Sequence, residues 1–229
     1  MPEEKMIQSP EYDEFRMKLN EESGYIAGSS AEKTYRNKMK GEYTVSDYEA
    51  LPEERRVELI DGVFYDMAAP SYLHQTILAE LYTALSDAIR KKGGPCRVVL
   101  SPCDVRLDED DKTMVQPDLF ILCDKEKHMD GKRIKGAPDF IAEIVSPSSR
   151  SQDMFRKFRK YDAAGVREYW IVDPENRSVI TYHFVGEGGA EQYHFDDVIP
   201  VNIYGGDIHV DFAEIKKVLV EVFGEDFGQ

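Results

Sequence analysis

Asp118 and Glu143 each stand beside an apolar run, and Lys157 follows on a segment with helical spacing. Two acidic side chains and a lysine are the raw material of metal-dependent phosphodiester hydrolysis. Glu143 lies inside Phe140-Ile141-Ala142-Glu143-Ile144-Val145, whose other members favour burial. A carboxylate there is costly unless it is paired or ligates a metal. An ion pair with a neighbouring Lys or Arg therefore competes with the metal-ligand reading. Asp118 follows Pro117 where a second apolar run begins, so an ordinary turn residue is the alternative there. If the two residues begin and end neighbouring strands, their oxygens converge on one hard cation. Magnesium accepts few carboxylates because it keeps several waters. Such an ion lowers the pKa of a bound water and neutralises charge on the phosphate, while a nearby lysine orients that water or stabilises the transition state. The residue two after Glu143, on the same strand face, is Val145. The lysine must come from elsewhere. On the helix predicted over 150–164, Asp153, Lys157, Lys160 and Tyr161 share a face, and Asp153 and Lys157 form an i,i+4 pair that a plain surface ion pair would also explain.

The elements that must position these groups are legible in the surrounding pattern. Thr44–Leu51 predicts a short helix capped by Thr44 or Ser46. Val57–Ile60, Asp61-Gly62 and Val63–Met67 read as strand, two-residue turn and strand, because a type I′ turn needs positive φ at both central residues. Ser71 caps a helix over 72–92, on which Leu73, Ile77, Leu78, Leu81, Leu85 and Ile89 recur at helical spacing until Gly93-Gly94. Strands follow near 97–100 and 103–107, and Asp108–Asp111 reads as a solvated acidic turn. Leu119–Cys123 and Phe140–Val145 are continuous apolar runs, expected of strands buried on both faces. A charged loop over 124–138 joins them. Strands over 168–172 and 179–184, one or two short strands in the tail and a helix near 211–223 complete a mixed sheet flanked by helices. Tyr161, Tyr169 and Trp170 read as core aromatics, and Ser146-Pro147-Ser148 ends the central strand.

A chain of 229 residues, 41% hydrophobic and 11% aromatic, is long enough for one large domain. Residues 1–40 are polar with weak periodicity and read as an N-terminal extension, leaving 41–229 as the domain. There is no run of about 18 apolar residues, so no membrane span is expected, and no signal-peptide pattern at the N-terminus, so a cytoplasmic location is the default. Cys96, Cys103 and Cys123 show no C-x-x-C spacing and are expected to be small buried hydrophobes rather than a disulfide or a zinc site. Neither G-x-G-x-x-G nor G-x-x-x-x-G-K occurs, which counts against a nucleotide-dependent enzyme. The net charge of −15, from 44 acidic and 29 basic residues, counts against tight general DNA binding. A local basic face can still operate within an acidic protein.

Across about residues 42–185 the chain resembles the Uma-type family of bacterial restriction endonucleases, within the PD-(D/E)XK nuclease superfamily. The resemblance is carried by Glu58-Leu59-Ile60-Asp61-Gly62, Pro70-Ser71 with His74, Pro117-Asp118, Gly136-Ala137-Pro138-Asp139 and Glu143-Ile144-Val145-Ser146-Pro147-Ser148. Lys157 through Gly165-Val166 and Glu168-Tyr169-Trp170-Ile171-Val172-Asp173-Pro174 complete it. It implies an α/β fold, a restriction-endonuclease-like α/β/α core with a mixed central sheet. It also implies Asp118 and Glu143 as metal ligands and a catalytic lysine displaced from the E-x-K position to the next helix. Lys157 is the best match for that lysine and Lys160 the reserve. Glu58 is a third acidic candidate, with an edge-strand charge as its competing explanation. His74 is placed to touch phosphate or steady the site, unless it is simply a partly exposed helical histidine. The implied activity is Mg2+-dependent endonucleolytic hydrolysis of DNA, with Mn2+ as an alternative ion and a homodimer as an assembly common to nucleases of this fold. The rival is a catalytically inactive module with a binding or regulatory role, which Val145 and the charge of −15 favour.

Overall fold

The computed structural model describes residues 39–52, 55–107, 111–124, 131–146, 156–186 and 189–228. The extension 1–38, most of the acidic turn at 108–111, part of the loop over 124–138, and the first part of the helix expected from 150, Asp153 included, lie outside the described residues.

The central element is a six-stranded mixed sheet, built from β3 (Arg97–Leu100), β5 (Leu119–Leu122), β7 (Phe140–Ile144), β8 (Glu168–Asp173), β9 (Ser178–His183) and β10 (Gly189–His194). Their spatial order is β10-β9-β8-β7-β5-β3. Within this sheet only β7 and β8 pair in parallel, which requires a crossover between them. That crossover contains α3 (Phe158–Ala164), preceded by a π turn at Arg156-Lys157 and ended by Gly165 at φ 88°. β5 and β7 are buried at every position, as continuous apolar runs require when both sheet faces are covered.

Strand alternation divides the core into two layers. Leu119, Ile121, Phe140, Ala142, Ile144, Trp170 and Val172 face one side, where α2 (Tyr72–Lys92) supplies Ile77, Leu81 and Leu85 and α4 (Phe212–Phe223) supplies Phe212, Ile215 and Leu219. Phe120, Leu122, Ile141, Val145, Tyr169 and Ile171 face the other, against Tyr161 of α3 and Val166. This is the expected helix–sheet–helix arrangement around a mixed sheet. None of the helices among the described residues is long and apolar enough to cross a membrane.

Smaller pairings surround the sheet. β1 (Val57–Ile60) and β2 (Val63–Asp66) form the expected hairpin, with Asp61 at φ 50° and Gly62 at φ 72°. Leu59 bridges to Met114, which ties the hairpin to the segment leading into β5. The two-residue strands β4 (Val105–Arg106) and β6 (Ile134–Lys135) pair in parallel, and β11 (Val198–Pro200) pairs with β12 (His209–Asp211). The tail after Gly186 thus holds three strands, β10, β11 and β12, where the sequence suggests one or two. α1 (Val45–Glu49) begins at Thr44, whose side chain and that of Asp47 form a reciprocal capping box.

The cysteines differ from expectation. Cys96 and Cys123 are joined as a disulfide, and Cys103 is free. The reason is register: β3 and β5 pair with Arg97 opposite Leu122, so one further step places Cys96 opposite Cys123. Spacing along the chain carries no trace of that cross-strand juxtaposition.

Candidate active site

Asp118 and Glu143 meet because of how β5 and β7 pair. Leu119 stands opposite Ala142, and continuing that register by one residue places Asp118 opposite Glu143. The amide of Ile144 donates to Asp118 Oδ2 at 2.9 Å, and the amide of Asp118 lies 3.4 Å from Glu143 Oε2. Each carboxylate is thus held by backbone of the other's strand. Pro117 has no N–H to contribute to a ladder, which suits the residue just before this strand edge.

Glu143 shares its strand face with Ile141 and Val145, the face that α3 covers. Glu58, Glu143 and Lys157 are only 2%, 3% and 4% exposed. Lys157 Nζ lies 2.9 Å from Glu143 Oε1 and 3.0 Å from Glu58 Oε1, so one ammonium bridges two buried carboxylates. The amide of Gln116 also donates to Glu58 Oε1 at 2.8 Å. Glu58 is therefore a buried member of this cluster and not an edge-strand charge. The Tyr161 hydroxyl donates to Glu143 Oε1 at 2.7 Å. Burial, then the charge of Glu143, pushes the Tyr161 phenol well above its ordinary pKa of 10.0, which keeps it a donor.

His74 sits in the first turn of α2, its amide capped by Ser71 Oγ at 3.1 Å. Its Nε2 lies 3.1 Å from Asp118 Oδ2, so the α2 N-terminus reaches the acidic pair directly. Lys160 points elsewhere: its Nζ pairs with Asp61 Oδ1 of the hairpin turn at 2.6 Å. Glu58, His74, Asp118, Glu143 and Lys157 all line one cavity of about 420 Å³, and Lys160 does not.

Two residues that contact the cluster or the cavity had no signal of their own in the sequence. Tyr161 reads as core, and it is fully buried in the aromatic cluster around Tyr169; only its position four after Lys157 hints at a shared target. Gln116 also lines the cavity. Its Nε2 donates to the Tyr48 hydroxyl at 3.1 Å and to Asp104 Oδ1 at 2.9 Å, which links α1 to the site. Arg133 Nε pairs with the same Asp104 at 3.3 Å. Burial, reinforced by Asp104, raises the Tyr48 phenol as well.

Among the described residues no group of three or more His, Cys, Asp or Glu side chains is gathered closely enough to hold a metal ion. Asp118 and Glu143 nevertheless form an oxygen-donor pair, held across a strand pair at a cavity wall. Magnesium is usually held by one or two carboxylates and completes its shell with water and substrate oxygens, so the donor set fits that ion. Glu58, Asp66, Asp118, Glu143 and Glu175 line the cavity against the cations Arg56 and Lys157. Such a wall attracts a cation and repels a bare phosphate.

A model of the Uma2 family, described as "Putative restriction endonuclease", matches residues 45–206. An uncharacterized protein of Synechocystis sp. (strain ATCC 27184 / PCC 6803 / Kazusa) is 25% identical over 137 residues, covering 59% of this chain and 70% of that protein. Among solved structures, a "putative nuclease belonging to DUF820" from Anabaena variabilis ATCC 29413 superposes with a TM-score of 0.64 at 21% identity. That match covers 77% of this chain and 98% of the Anabaena chain, and it shows a shared fold.

Proposed function

The chain belongs to the Uma2 family, and on that footing we propose that it hydrolyses DNA phosphodiester bonds internally, with Mg2+ as its ion and Mn2+ as a substitute. One observation carries the reading: Lys157 joins Glu58 and Glu143 at the wall of the cavity that Asp118 and His74 also line. Asp118 and Glu143 would hold the ion. When bound, it supplies a water of lowered pKa and charge neutralisation at the phosphate. That neutralisation matters here because, among the described residues, Glu58, Asp66, Asp118, Glu143 and Glu175 line the cavity against the cations Arg56 and Lys157.

The chain's own groups do the rest. Lys157 holds a positive charge beside Glu143, where it can steady the attacking water or the developing charge on a phosphoryl oxygen. Glu58 also holds that ammonium, at 3.0 Å. His74, fixed on the first turn of a long helix, holds Asp118 Oδ2 in place together with the Ile144 amide. Lys157, in the turn that leads into α3, would supply the lysine that Val145 cannot, since the helix covers the strand face on which Glu143 and Val145 both lie.

The competing reading is a non-catalytic binding or regulatory module on the same fold, and the net charge of −15 favours it. Incubating supercoiled and linear DNA with the protein and Mg2+ or Mn2+, beside Asp118→Ala, Glu143→Ala and the double variant, separates the two. We expect nicking or linearisation by the native chain, its loss in either single variant, and no calorimetric Mn2+ binding in the double variant. Unchanged Mn2+ affinity in the double variant would sink the assigned site. Metal binding without cleavage of any DNA substrate would favour the binding module.

A further inference from the structure

We propose that Tyr161 is the positioning residue of Glu143: its hydroxyl, with the Lys157 ammonium, engages Oε1 and so orients the carboxylate with Oε2 toward Asp118. The inference rests on the reading of Asp118 and Glu143 as the metal-holding pair.

The terminal torsion of a glutamate side chain is broad and roughly two-fold, so which oxygen faces the partner strand must be set by its neighbours. Lys157 alone sets it weakly. Its ammonium stands 2.9 Å from Glu143 and 3.0 Å from Glu58, on a flexible stem that serves both. Tyr161 differs on each count. Its hydroxyl donates to Glu143 Oε1 at 2.7 Å. The ring is fully buried and meets Tyr169 edge-on, with centroids 5.0 Å apart. Its carbonyl accepts from the Val166 amide at 3.0 Å, at the turn that ends α3. A donor on a rigid, packed ring fixes an acceptor's direction more tightly than an ammonium shared between two carboxylates. With Oε1 so engaged, Oε2 is the oxygen that lies 3.4 Å from the Asp118 amide.

A packing role alone would be met by phenylalanine, which fills the same space without a buried hydroxyl to satisfy. Metal affinity separates the two roles. Mn2+ binding to the full chain is measured by calorimetry for wild type, Tyr161→Phe and Tyr182→Phe, the last altering a hydroxyl in the same aromatic stack that, unlike that of Tyr161, does not donate to Glu143. Loss of an outer partner of a metal ligand typically weakens binding about 10- to 100-fold. We expect a loss of about tenfold in Tyr161→Phe and none in Tyr182→Phe. Replacing Tyr161 with 4-aminophenylalanine, which keeps a donor at the same place on the ring, should restore the affinity. That variant also stands in if the phenylalanine variant does not fold: binding as in wild type supports the inference, and a loss of about tenfold in the folded protein overturns it. Wild-type affinity in folded Tyr161→Phe overturns the positioning role while leaving the metal pair intact. Absence of Mn2+ binding in wild type overturns the metal pair and this inference together.

Discussion

Lys157 is the charge on which the buried cluster balances. Removing it takes away the ammonium that Glu58 and Glu143, both nearly closed to solvent, share. Breaking a buried ion pair from one side typically costs about 3–5 kcal/mol. Lys157→Met should lose stability on that scale in urea denaturation, and adding Glu58→Gln should recover part of it, because one of the two carboxylates that shared the ammonium is then neutral. Glu168 presents the opposite case. It is fully buried, pairs with no lysine among the described residues, and accepts from the Trp170 indole at 2.7 Å and the Ile203 amide at 2.8 Å. Burial raises its pKa above the ordinary 4.5 despite those donors. A raised folded-state pKa gives stability that is complete below the ordinary value and is lost as pH rises through the folded value. Urea melts at about pH 4 and about pH 7 should therefore show Glu168→Gln gaining on wild type as pH rises; a constant difference would contradict the shift. At this scale the sequence was informative about Glu143 and Lys157, since a carboxylate inside an apolar run demands a partner. It was silent about Gln116 and about the Tyr161 hydroxyl, because neither residue type is out of place where it stands.

The elements that deliver these residues are mostly local in origin. The β1–β2 hairpin follows from Asp61-Gly62, and α2 from Ser71, its apolar stripe and Gly93. A second requirement on Gly62 comes from packing. A Cβ there would collide with the backbone of Gly41, and the Gly62 carbonyl accepts from the amides of Gly41 and Tyr43 at 3.0 and 3.1 Å. Gly62→Ala combines positive φ with that collision and should cost about 2 kcal/mol or more. Because the same hairpin carries Glu58 and the Asp61 that pairs with Lys160, reduced Mn2+ affinity should accompany the loss in a thermal melt. The two-residue strand β6, inside the stretch read as a loop, and the short tail strands were the least legible elements. Such pairings take their stability from the surfaces they close, and a few residues carry too little periodicity to announce them.

At the scale of the whole molecule, the sheet register decides what chain spacing cannot express. Cys96 and Cys123, 27 residues apart, are brought together by the antiparallel β3–β5 ladder, whose β5 begins just after Asp118. Thiol titration of the folded, unreduced protein should find a single reactive group, Cys103, and full unfolding should not raise that count until reductant is added. Closing a loop of that length contributes about 3–4 kcal/mol on chain-entropy grounds, so reduction should shift the denaturant midpoint accordingly. Periodicity, turn chemistry and the cost of burying a carboxylate were enough to read the layered mixed fold, the hairpin, the long helix and the suspicion attached to Asp118, Glu143 and Lys157. Each of these depends on residues near one another along the chain. Tertiary structure alone decided that Asp118 stands opposite Glu143, that Glu58 shares Lys157 with it, that Lys160 turns away to Asp61, and that Tyr161 reaches Glu143 from the core. Those outcomes depend on strand register and on the face of β7 that α3 covers, and both emerge only when distant segments compete to bury the same surface.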